Sequence, residues 1–231
     1  MVIVVTGTSR GIGQKLAQYY IEYGHEVVGC SRTESPFKHD RYHHYQIDVT
    51  NNEEVQSFAF DVGKKYGTID VLINNAGAAS MNHFILTDPA TAETLMQINY
   101  LSAFACSRAF FRLLRKAEHP RIINFSTVAV PLNLEGELAY GASKAAVESM
   151  TKVLAKELGA FGITVNAVGP APAKTGLIAN VPINKIEKIL EQQAVKRLAE
   201  FEDIINVINF YIDKKSDFIT GQIIYLGGIC K

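Results

Sequence analysis

The sequence has few of the features that mark secreted, membrane-spanning or nucleic-acid-binding proteins. Its 231 residues include 3 cysteines, which lie far apart without a CxxC pair and are interpreted as reduced, packing thiols. No apolar stretch approaches the roughly 20 residues of a membrane-spanning helix, and the first residues show no basic segment of a signal peptide. The 23 Lys+Arg balance the 23 Asp+Glu, which leaves no basic field for nucleic-acid phosphates. We therefore expect a cytoplasmic protein without a membrane, nucleic-acid or metal partner.

Short apolar runs alternate with longer amphipathic stretches along the whole chain. Runs such as IVV, VLI and RIINF show little polar alternation, which is typical of strands covered on both faces. This alternation predicts an α/β fold with a parallel sheet and crossover helices. The predicted strands are Val2–Thr6, Glu26–Ser31, Tyr42–Ile47, Ile69–Asn74, Arg121–Ser126, Ile163–Ala167 and Ile223–Leu226. The predicted helices are Gly11–Tyr23, Glu53–Tyr66, Ala92–Lys116, Ala139–Ala160 and Glu202–Asp213.

The chain contains no linker, low-complexity tract or internal repeat, so residues 1–231 are predicted to form one domain. The segment Gly169–Gln193 departs from the alternation, because it carries Pro170, Pro172 and Pro182 and no clear strand. A long excursion of this kind in a compact domain is often a lid or a binding loop. We therefore expect a substrate loop around residues 176–198.

A glycine-rich turn, TGTSRGIG, follows the first predicted strand. Glycines at positions 7, 11 and 13 allow a tight turn and a close approach to a ligand, because they lack Cβ. The helix that begins there presents free N–H groups and the positive end of its dipole. The GxxxGxG spacing between a first strand and a first helix indicates a pyrophosphate-binding turn, and a glycine-rich turn without a ligand is the alternative.

Tyr140 and Lys144 lie four residues apart in YGASK, at the start of a predicted helix. Residues at this spacing share a helix face about 5–6 Å apart. A nearby ammonium lowers the pKa of a phenol from its reference value near 10 toward neutrality, which yields a usable general acid or base. Further polar groups stand at strand ends or in apolar surroundings: NNAG after the fourth strand, Asn99 in an apolar helix, and Ser126 and Thr127 at the end of the fifth strand.

Together, TGTSRGIG, NNAG, the hydroxyl after the fifth strand, YGASK and the tail FITGQIIYLGG resemble the classical short-chain dehydrogenase/reductase family. The broad similarity is to its 3-oxoacyl-(acyl carrier protein) reductases, and it is collinear over essentially the whole chain. The resemblance implies a three-layer Rossmann-type fold with about seven parallel strands and helices on both faces. It also implies a nicotinamide cofactor bound across the carboxyl ends of the strands, and reduction of a small-molecule carbonyl substrate.

The resemblance implies catalytic roles for four residues. Tyr140 would exchange a proton with the substrate oxygen, Lys144 would hold the nicotinamide ribose and lower the pKa of Tyr140, and Asn99 would fix a water that links Lys144 to solvent. The position of the family's catalytic serine holds Thr127, with Ser126 directly before it. Neighbouring residues on a strand point to opposite faces. We expect Thr127 to be the catalytic hydroxyl, with Ser126 as the alternative.

The cofactor expected from the resemblance is NADP(H) in preference to NAD(H). NAD-preferring members carry an acid where this chain has Ser31, while Arg32 and Arg10 offer charge-assisted bonds to a 2′-phosphate. The alternative is that both arginines are solvated surface charges. The cofactor contacts implied by the resemblance are Gly7, Ser9, Arg10, Gly11, Ile12, Gly13, Ser31, Arg32, Asp48, Val49, Asn75, Ala76, Gly77, Tyr140, Lys144, Pro170 and Thr175.

The chain departs from the family pattern at several positions. Ala171 follows Pro170 where the family has glycine, and Leu226 replaces an aspartate in the tail. Two positions that are basic in carrier-protein-dependent members hold Glu118 and Phe161, which makes a carrier-bound acyl substrate a weaker expectation. A small or medium ketone, a keto sugar or a secondary metabolite fits equally well.

Other functions and an oligomeric state also follow from the sequence. A non-catalytic NADP(H)-binding sensor on the same fold is the alternative to an enzyme. Extended epimerase relatives and divergent enoyl reductases are disfavoured, because their glycine spacing or their Tyr–Lys spacing differs. We expect a homodimer or homotetramer formed through the helical stretches Ala92–Lys116 and Ala139–Ala160. Both stretches are rich in apolar residues, which include Leu101, Phe104, Phe110, Phe111, Leu113 and Met150.

Overall fold

The centre of the molecule is a seven-stranded parallel sheet. A computed structural model describes residues 1–173 and 182–229. The strand order is β3-β2-β1-β4-β5-β6-β7, and every neighbouring pair is parallel. The strands are β1 (Val2–Thr6), β2 (Glu26–Ser31), β3 (Tyr42–Gln46), β4 (Val71–Asn74), β5 (Arg121–Phe125), β6 (Thr164–Gly169) and β7 (Ile223–Tyr225). The predicted α/β fold with seven parallel strands is therefore confirmed.

Helices cover both faces of the sheet, which explains why the strands are apolar on both sides. The helices are α1 (Gly11–Glu22), α2 (Asn52–Tyr66), α3 (Pro89–Met96), α4 (Ser102–Leu114), α5 (Ala129–Leu132), α6 (Leu138–Leu158), α7 (Ile183–Glu191) and α8 (Phe201–Ile212). One face packs against α1 and α8 through buried residues such as Leu16 and Ile208. The other face packs against α2, α4 and α6 through residues such as Phe58, Phe110 and Ala155. Among the described residues, no helix is both long and apolar enough to cross a membrane.

Two predicted segments differ from the structure. The stretch Ala92–Lys116, predicted as one helix, is divided by a π turn at Gln97–Leu101 between α3 and α4. The segment Gly169–Gln193, predicted to be irregular, contains α7, whose Ile189 is buried in a small apolar cluster with Val128 and Ala171. Packing of that kind stabilises a short helix that propensity alone does not reveal. Residues 176–181, the first part of the predicted substrate loop, lie outside the described residues, and so does Thr175, a predicted cofactor contact.

Three of the six apolar residues named for the two helical stretches are buried within the chain. Phe110 is fully buried with its ring 5.2 Å from that of Phe58, and Leu113 and Met150 are also buried. Phe110 and Leu113 pack between the sheet and its helices, whereas Met150 packs with Ala103 and Val147 between α4 and α6. Leu101 and Phe104 remain exposed, each at 42%.

The turn between β1 and α1 is tight because its glycines carry no side chain. Gly7 has φ +76° and Gly11 has φ +62°, which are left-handed conformations that favour glycine. A Cβ on Gly13 would lie 2.2 Å from the carbonyl oxygen of Gly7 and 2.4 Å from the side-chain nitrogen of Asn75. The start of α1 therefore packs directly onto the ends of β1 and β4.

We expect Gly13→Ala to destabilise the protein by about 2–3 kcal/mol, the cost of forcing a methyl group into a packed site. Urea unfolding measures the change. Gly159→Ala is the matched control, because nothing lies within 4 Å of a Cβ at Gly159 and its backbone is helical. The control is expected to change the free energy of unfolding by no more than about 0.5 kcal/mol. Equal unfolding midpoints for the two variants would contradict the packing argument.

Candidate active site

The carboxyl ends of β1 and β4 are joined by a set of hydrogen bonds. The Thr6 hydroxyl accepts from the backbone N–H groups of Asn75 and Ala76, at 3.1 and 2.9 Å. The Asn75 side chain donates to the carbonyl oxygens of Thr6 and Gly7, at 2.8 and 3.3 Å. The predicted cofactor segment Asn75–Gly77 is thereby held against the glycine turn. Strand order reverses between β1 and β4, and ligands of parallel α/β sheets bind in the crevice at such a point.

Asn99 lies in the π turn, buried at 2% exposure, and its side chain organises two segments of the site. Its amide oxygen accepts from the Ala78 N–H at 2.8 Å. Its amide nitrogen donates to the Ala78 carbonyl and to the Ser143 hydroxyl, both at 2.9 Å. Turns of the π type are frequent at functional sites. Asn99 is therefore a satisfied buried group that also connects the segment after β4 to α6.

Tyr140 and Thr127 come together at the end of β5, whereas Ser126 points elsewhere. Tyr140, in the first turn of α6, is 8% exposed, and its phenol interacts with the Thr127 hydroxyl. The Thr127 oxygen also accepts from the Ala129 N–H at 3.2 Å, which fixes its orientation. The Ser126 hydroxyl instead donates to the buried carboxylate of Glu148. The geometry favours Thr127 over Ser126 as the hydroxyl beside Tyr140.

Lys144 extends from the next turn of α6 into the same region. Its ammonium donates to the carbonyl oxygen of Phe125 at 2.8 Å, and the residue is 5% exposed. A Cβ added to Gly77 would lie 3.5 Å from Lys144 Nζ and 3.1 Å from Asn99 Oδ1. The ammonium and the amide oxygen therefore both lie close to the backbone of Gly77, where a Cβ would be in tight contact with the amide oxygen.

Burial, more than proximity, determines the pKa values of these two groups. Burial raises the pKa of Tyr140 to about 12, the hydrogen bond with Thr127 acts in the opposite direction, and the Glu137 carboxylate raises it further. Burial also lowers the pKa of Lys144 to about 8. The sequence-based expectation of a Tyr140 pKa lowered toward neutrality by Lys144 is therefore wrong for the protein chain itself. The low-dielectric surroundings disfavour the charged form of both groups.

The remaining predicted cofactor residues follow the carboxyl edge of the sheet. Ser9, Arg10, Gly11 and Ile12 form the entry into α1, with Arg10 exposed and Ile12 packed against the first core cluster. Ser31 ends β2 and is buried, and Arg32 after it is exposed. The Asp48 carboxylate accepts from the backbone and hydroxyl of Thr50, and Val49 packs against the second core cluster. Pro170 follows β6, and its carbonyl accepts from the Val128 N–H at 3.2 Å.

Several residues of the site were missed by the sequence analysis. Ser143 accepts from Asn99 and donates to the Tyr140 carbonyl at 2.7 Å. Glu148, 2% exposed, accepts from Ser126 and from the Tyr225 hydroxyl at 2.7 Å. The available signals were a small polar residue between Tyr140 and Lys144, and a carboxylate four residues after Lys144, at the spacing of one helix face.

A side chain of α7 lies close to the residues before α6. Burial raises the pKa of Glu137 to about 7, and the positive charge of Lys185 lowers it in part. A Cβ on Gly136 would lie 3.5 Å from Lys185 Nζ and from Met81 Cγ. The side chains of α7 therefore approach the segment that carries Tyr140, as expected for a helix next to a substrate site.

Comparisons with known proteins show the family of the chain. A family model described as "Enoyl-(Acyl carrier protein) reductase" matches residues 7–228. The chain is 31% identical to the 3-oxoacyl-[acyl-carrier-protein] reductase FabG of Buchnera aphidicola, over 97% of this chain and 95% of that protein. It is 33% identical to NADPH-dependent aldehyde reductase 2, chloroplastic, of Arabidopsis thaliana, over 99% of this chain and 93% of that protein.

Solved structures with the same fold include a ligand-free aldohexose dehydrogenase of Thermoplasma acidophilum. It superimposes with a TM-score of 0.88 at 28% identity, covering 99% of this chain and 93% of that chain. The family model, the curated reductases and the shared fold agree on the family to which the chain belongs. The chain belongs to the short-chain dehydrogenase/reductase family, resembles its 3-oxoacyl-(acyl carrier protein) reductases, and is an oxidoreductase that acts on CH–OH and C=O groups.

Proposed function

We propose that the protein reduces a ketone to a secondary alcohol with NADPH and that Tyr140 supplies the proton. The observation that carries this proposal is the buried phenol of Tyr140 beside the Thr127 hydroxyl, with its pKa raised to about 12 by burial. A phenol of that pKa keeps its proton at neutral pH, and the protonated form is the one that acts as a general acid in reduction. The names of the reductase relatives support the same direction.

The turn after β1 fits a dinucleotide cofactor. A Cβ on Gly13 would fill the space that the turn needs, whereas nothing lies within 4 Å of a Cβ at Gly11, so the backbone there is open. Within the described chain, no side chain caps the start of α1 and its first turn holds no acidic residue. The first N–H groups of α1 are therefore suited to a pyrophosphate. When bound, the reduced nicotinamide supplies the hydride.

The residues around the substrate oxygen have separate roles. Tyr140 gives its proton to that oxygen, and the Thr127 hydroxyl, whose oxygen accepts from Ala129, keeps its own hydrogen to donate to the same oxygen. Lys144 uses one of its three donors on the Phe125 carbonyl and offers the others to the cofactor ribose. Asn99 fixes a water near Lys144, because its amide oxygen faces Gly77 together with Lys144 Nζ. This water returns a proton toward Tyr140 after each turnover.

We expect Tyr140→Phe to lower kcat by about 10²–10⁴-fold, the usual contribution of a general acid, with the Kd for NADPH changed less than about twofold.

We expect Thr127→Val to lower kcat substantially and Thr127→Ser to keep most of the activity, because only valine removes the hydroxyl. The assay follows NADPH oxidation with a 3-oxoacyl thioester, diketones, keto sugars and cyclic ketones, and calorimetry measures NADPH binding.

Ser126→Ala is the matched control, because the Ser126 hydroxyl faces Glu148 and not Tyr140. A loss in Ser126→Ala as large as that in Thr127→Val, or full activity of Tyr140→Phe, would contradict the assigned roles. Tight NADPH binding without turnover of any ketone would favour the alternative, a non-catalytic NADP(H)-binding sensor.

The preference for NADP(H) is assigned to the positive side chains near Ser31. Arg32 is exposed after β2, and Arg10 is exposed at the start of α1. We expect Arg32→Ala to weaken NADPH binding by about tenfold, the scale of one hydrogen bond to a charged group, and to leave the Kd for NADH within about twofold. Arg115→Ala, at the end of α4, is the control. Equal weakening of both cofactors would contradict the assignment.

The substrate is a small-molecule carbonyl compound that reaches a site bordered by α7, and residues 1–231 form one catalytic domain. Glu118, whose side chain is 90% exposed, stands at one of the two expected carrier-docking positions, and Phe161 stands at the other. Neither side chain offers an ion pair to an acidic carrier protein, and the alternative is that nearby basic residues take this role: Arg112, Arg115, Lys116, Lys185 and Lys188. A free ketone or thioester is thus favoured over a carrier-bound acyl chain.

We place the protein in the cytoplasm, without membrane or nucleic-acid partners.

A homodimer or homotetramer is expected to form through α4 and α6. Leu101 and Phe104 are 42% exposed, Val153 is 49% exposed, and burial of such apolar area drives association. Sedimentation is expected to detect a dimer or tetramer of the 25.4 kDa chain, and Phe104→Glu to shift it toward the monomer. Phe60→Glu, on α2 and 71% exposed, is the control. A wild-type protein that sediments only as a monomer would contradict the proposal.

A further inference from the structure

The imidazole ring of His44 connects the end of β2 to the glycine turn after β1. His44 lies on β3, opposite Gly29 of β2. Its Nε2 is 3.2 Å from the Ser31 hydroxyl and 3.0 Å from the Thr33 carbonyl oxygen. Its Nδ1 is 3.3 Å from the Thr8 hydroxyl and 3.0 Å from the Tyr42 hydroxyl. One side chain therefore contacts both segments to which the adenosine end of the cofactor is assigned.

The chemistry of the partners fixes the direction of these hydrogen bonds. The Thr33 carbonyl only accepts, so Nε2 of His44 carries a hydrogen. The Ser31 hydroxyl donates to the same carbonyl at 2.7 Å. The Tyr42 hydroxyl donates to Thr8 at 2.8 Å, which leaves the Thr8 hydrogen to donate to Nδ1. A hydrogen on Nε2 thus serves the Thr33 carbonyl, and Nδ1 accepts from Thr8, while the Tyr42 hydroxyl, whose hydrogen is used on Thr8, lies in contact with Nδ1.

The network requires a glycine at position 29, because a side chain there would overlap with it. A Cβ on Gly29 would lie 2.4 Å from the hydroxyl oxygens of both Thr8 and Tyr42. Two residues further along β3, Gln46 lies on the same face as His44 and donates to the Arg32 carbonyl at 3.0 Å. Together, His44 and Gln46 hold the backbone of the exposed turn that presents Arg32.

We propose that His44 is a positioning residue for recognition of the 2′-phosphate of NADPH. It fixes the Ser31 hydroxyl and the backbone of residues 32–33 on one side and Thr8 on the other, so that the turn is ordered before the ligand binds. Ordering in advance lowers the entropic cost of binding. NADH has no 2′-phosphate and depends far less on this turn. The inference rests on the proposed use of NADP(H).

A pair of variants that differ by one methylene group tests the proposal. The amide of glutamine reaches the position of Nε2 and donates there, whereas the shorter asparagine reaches only the position of Nδ1. We expect His44→Asn to weaken NADPH binding by about tenfold and NADH binding by less than twofold. We expect His44→Gln to restore NADPH binding to within about threefold of the wild-type protein.

Binding is measured by calorimetry with NADPH and NADH, and with 2′,5′-ADP and AMP, which contain only the adenosine end. The selectivity for 2′,5′-ADP over AMP is expected to fall in His44→Asn by the same factor as the selectivity for NADPH over NADH. His43→Asn is the matched control, because the neighbouring side chain points to the opposite face of β3. Thermal unfolding of each variant verifies that it is folded.

The possible results separate this proposal from the proposed function. Equal weakening of both cofactors in His44→Asn, unchanged selectivity, or a matching loss in His43→Asn would overturn the role of His44 while a wild-type preference for NADPH still stands. A wild-type protein that binds NADH as tightly as NADPH would overturn the cofactor assignment and this proposal with it. If His44→Asn does not fold, failure of the folded His44→Gln variant to keep the selectivity overturns the proposal.

Discussion

The contact between the carboxyl ends of β1 and β4 is the constraint on which the rest of the site depends. The Thr6 hydroxyl accepts from the backbone after β4, and the Asn75 side chain donates to the backbone at the end of β1, so hydrogen bonds run from each strand end to the other. These bonds form because Gly13 has no side chain, since a Cβ there would occupy the space of the Asn75 amide. The loops that follow the other strands diverge to either side of this contact. The crevice between them is where a ligand of a parallel sheet binds.

Two neighbouring hydroxyl groups after β5 point in different directions: that of Ser126 points into the core, and that of Thr127 points to Tyr140. Ser126 points toward α6 and β7, where Glu148 accepts from both Ser126 and Tyr225. A buried carboxylate is costly unless it is hydrogen-bonded, so these contacts are required for Glu148 to remain there. They also anchor three elements to one another directly below Thr127. The alternation of side chains along extended backbone explains why only one of the two hydroxyls, that of Thr127, faces Tyr140.

The sequence predicted the elements well, because a parallel sheet needs apolar runs and each motif stands at a strand end. The strands agree to within two residues at their ends. The π turn at Asn99 could not be predicted, because it depends on hydrogen bonds to Ala78 and Ser143, which are distant in the sequence. The helix α7 was not predicted, because three prolines stand in the segment before it. The burial of Phe110 was not predicted either, because it depends on contact with Phe58 of α2. The motifs indicated which residues meet in the site, and packing determined how they are oriented.

The protonation states of Tyr140 and Lys144 also could not be predicted from the sequence motifs alone. Spacing on a helix reveals that the two residues are neighbours, but it does not reveal how deeply both are buried. Burial favours the neutral form of each, so the phenol keeps its proton while the ammonium, with a pKa of about 8, stays mostly charged at pH 7. The site at rest therefore combines a protonated acid with a buried cation. Under the proposed function, a proton that leaves Tyr140 has to be replaced, and the relay through Lys144 and Asn99, which both lie near Gly77, is the route that we propose.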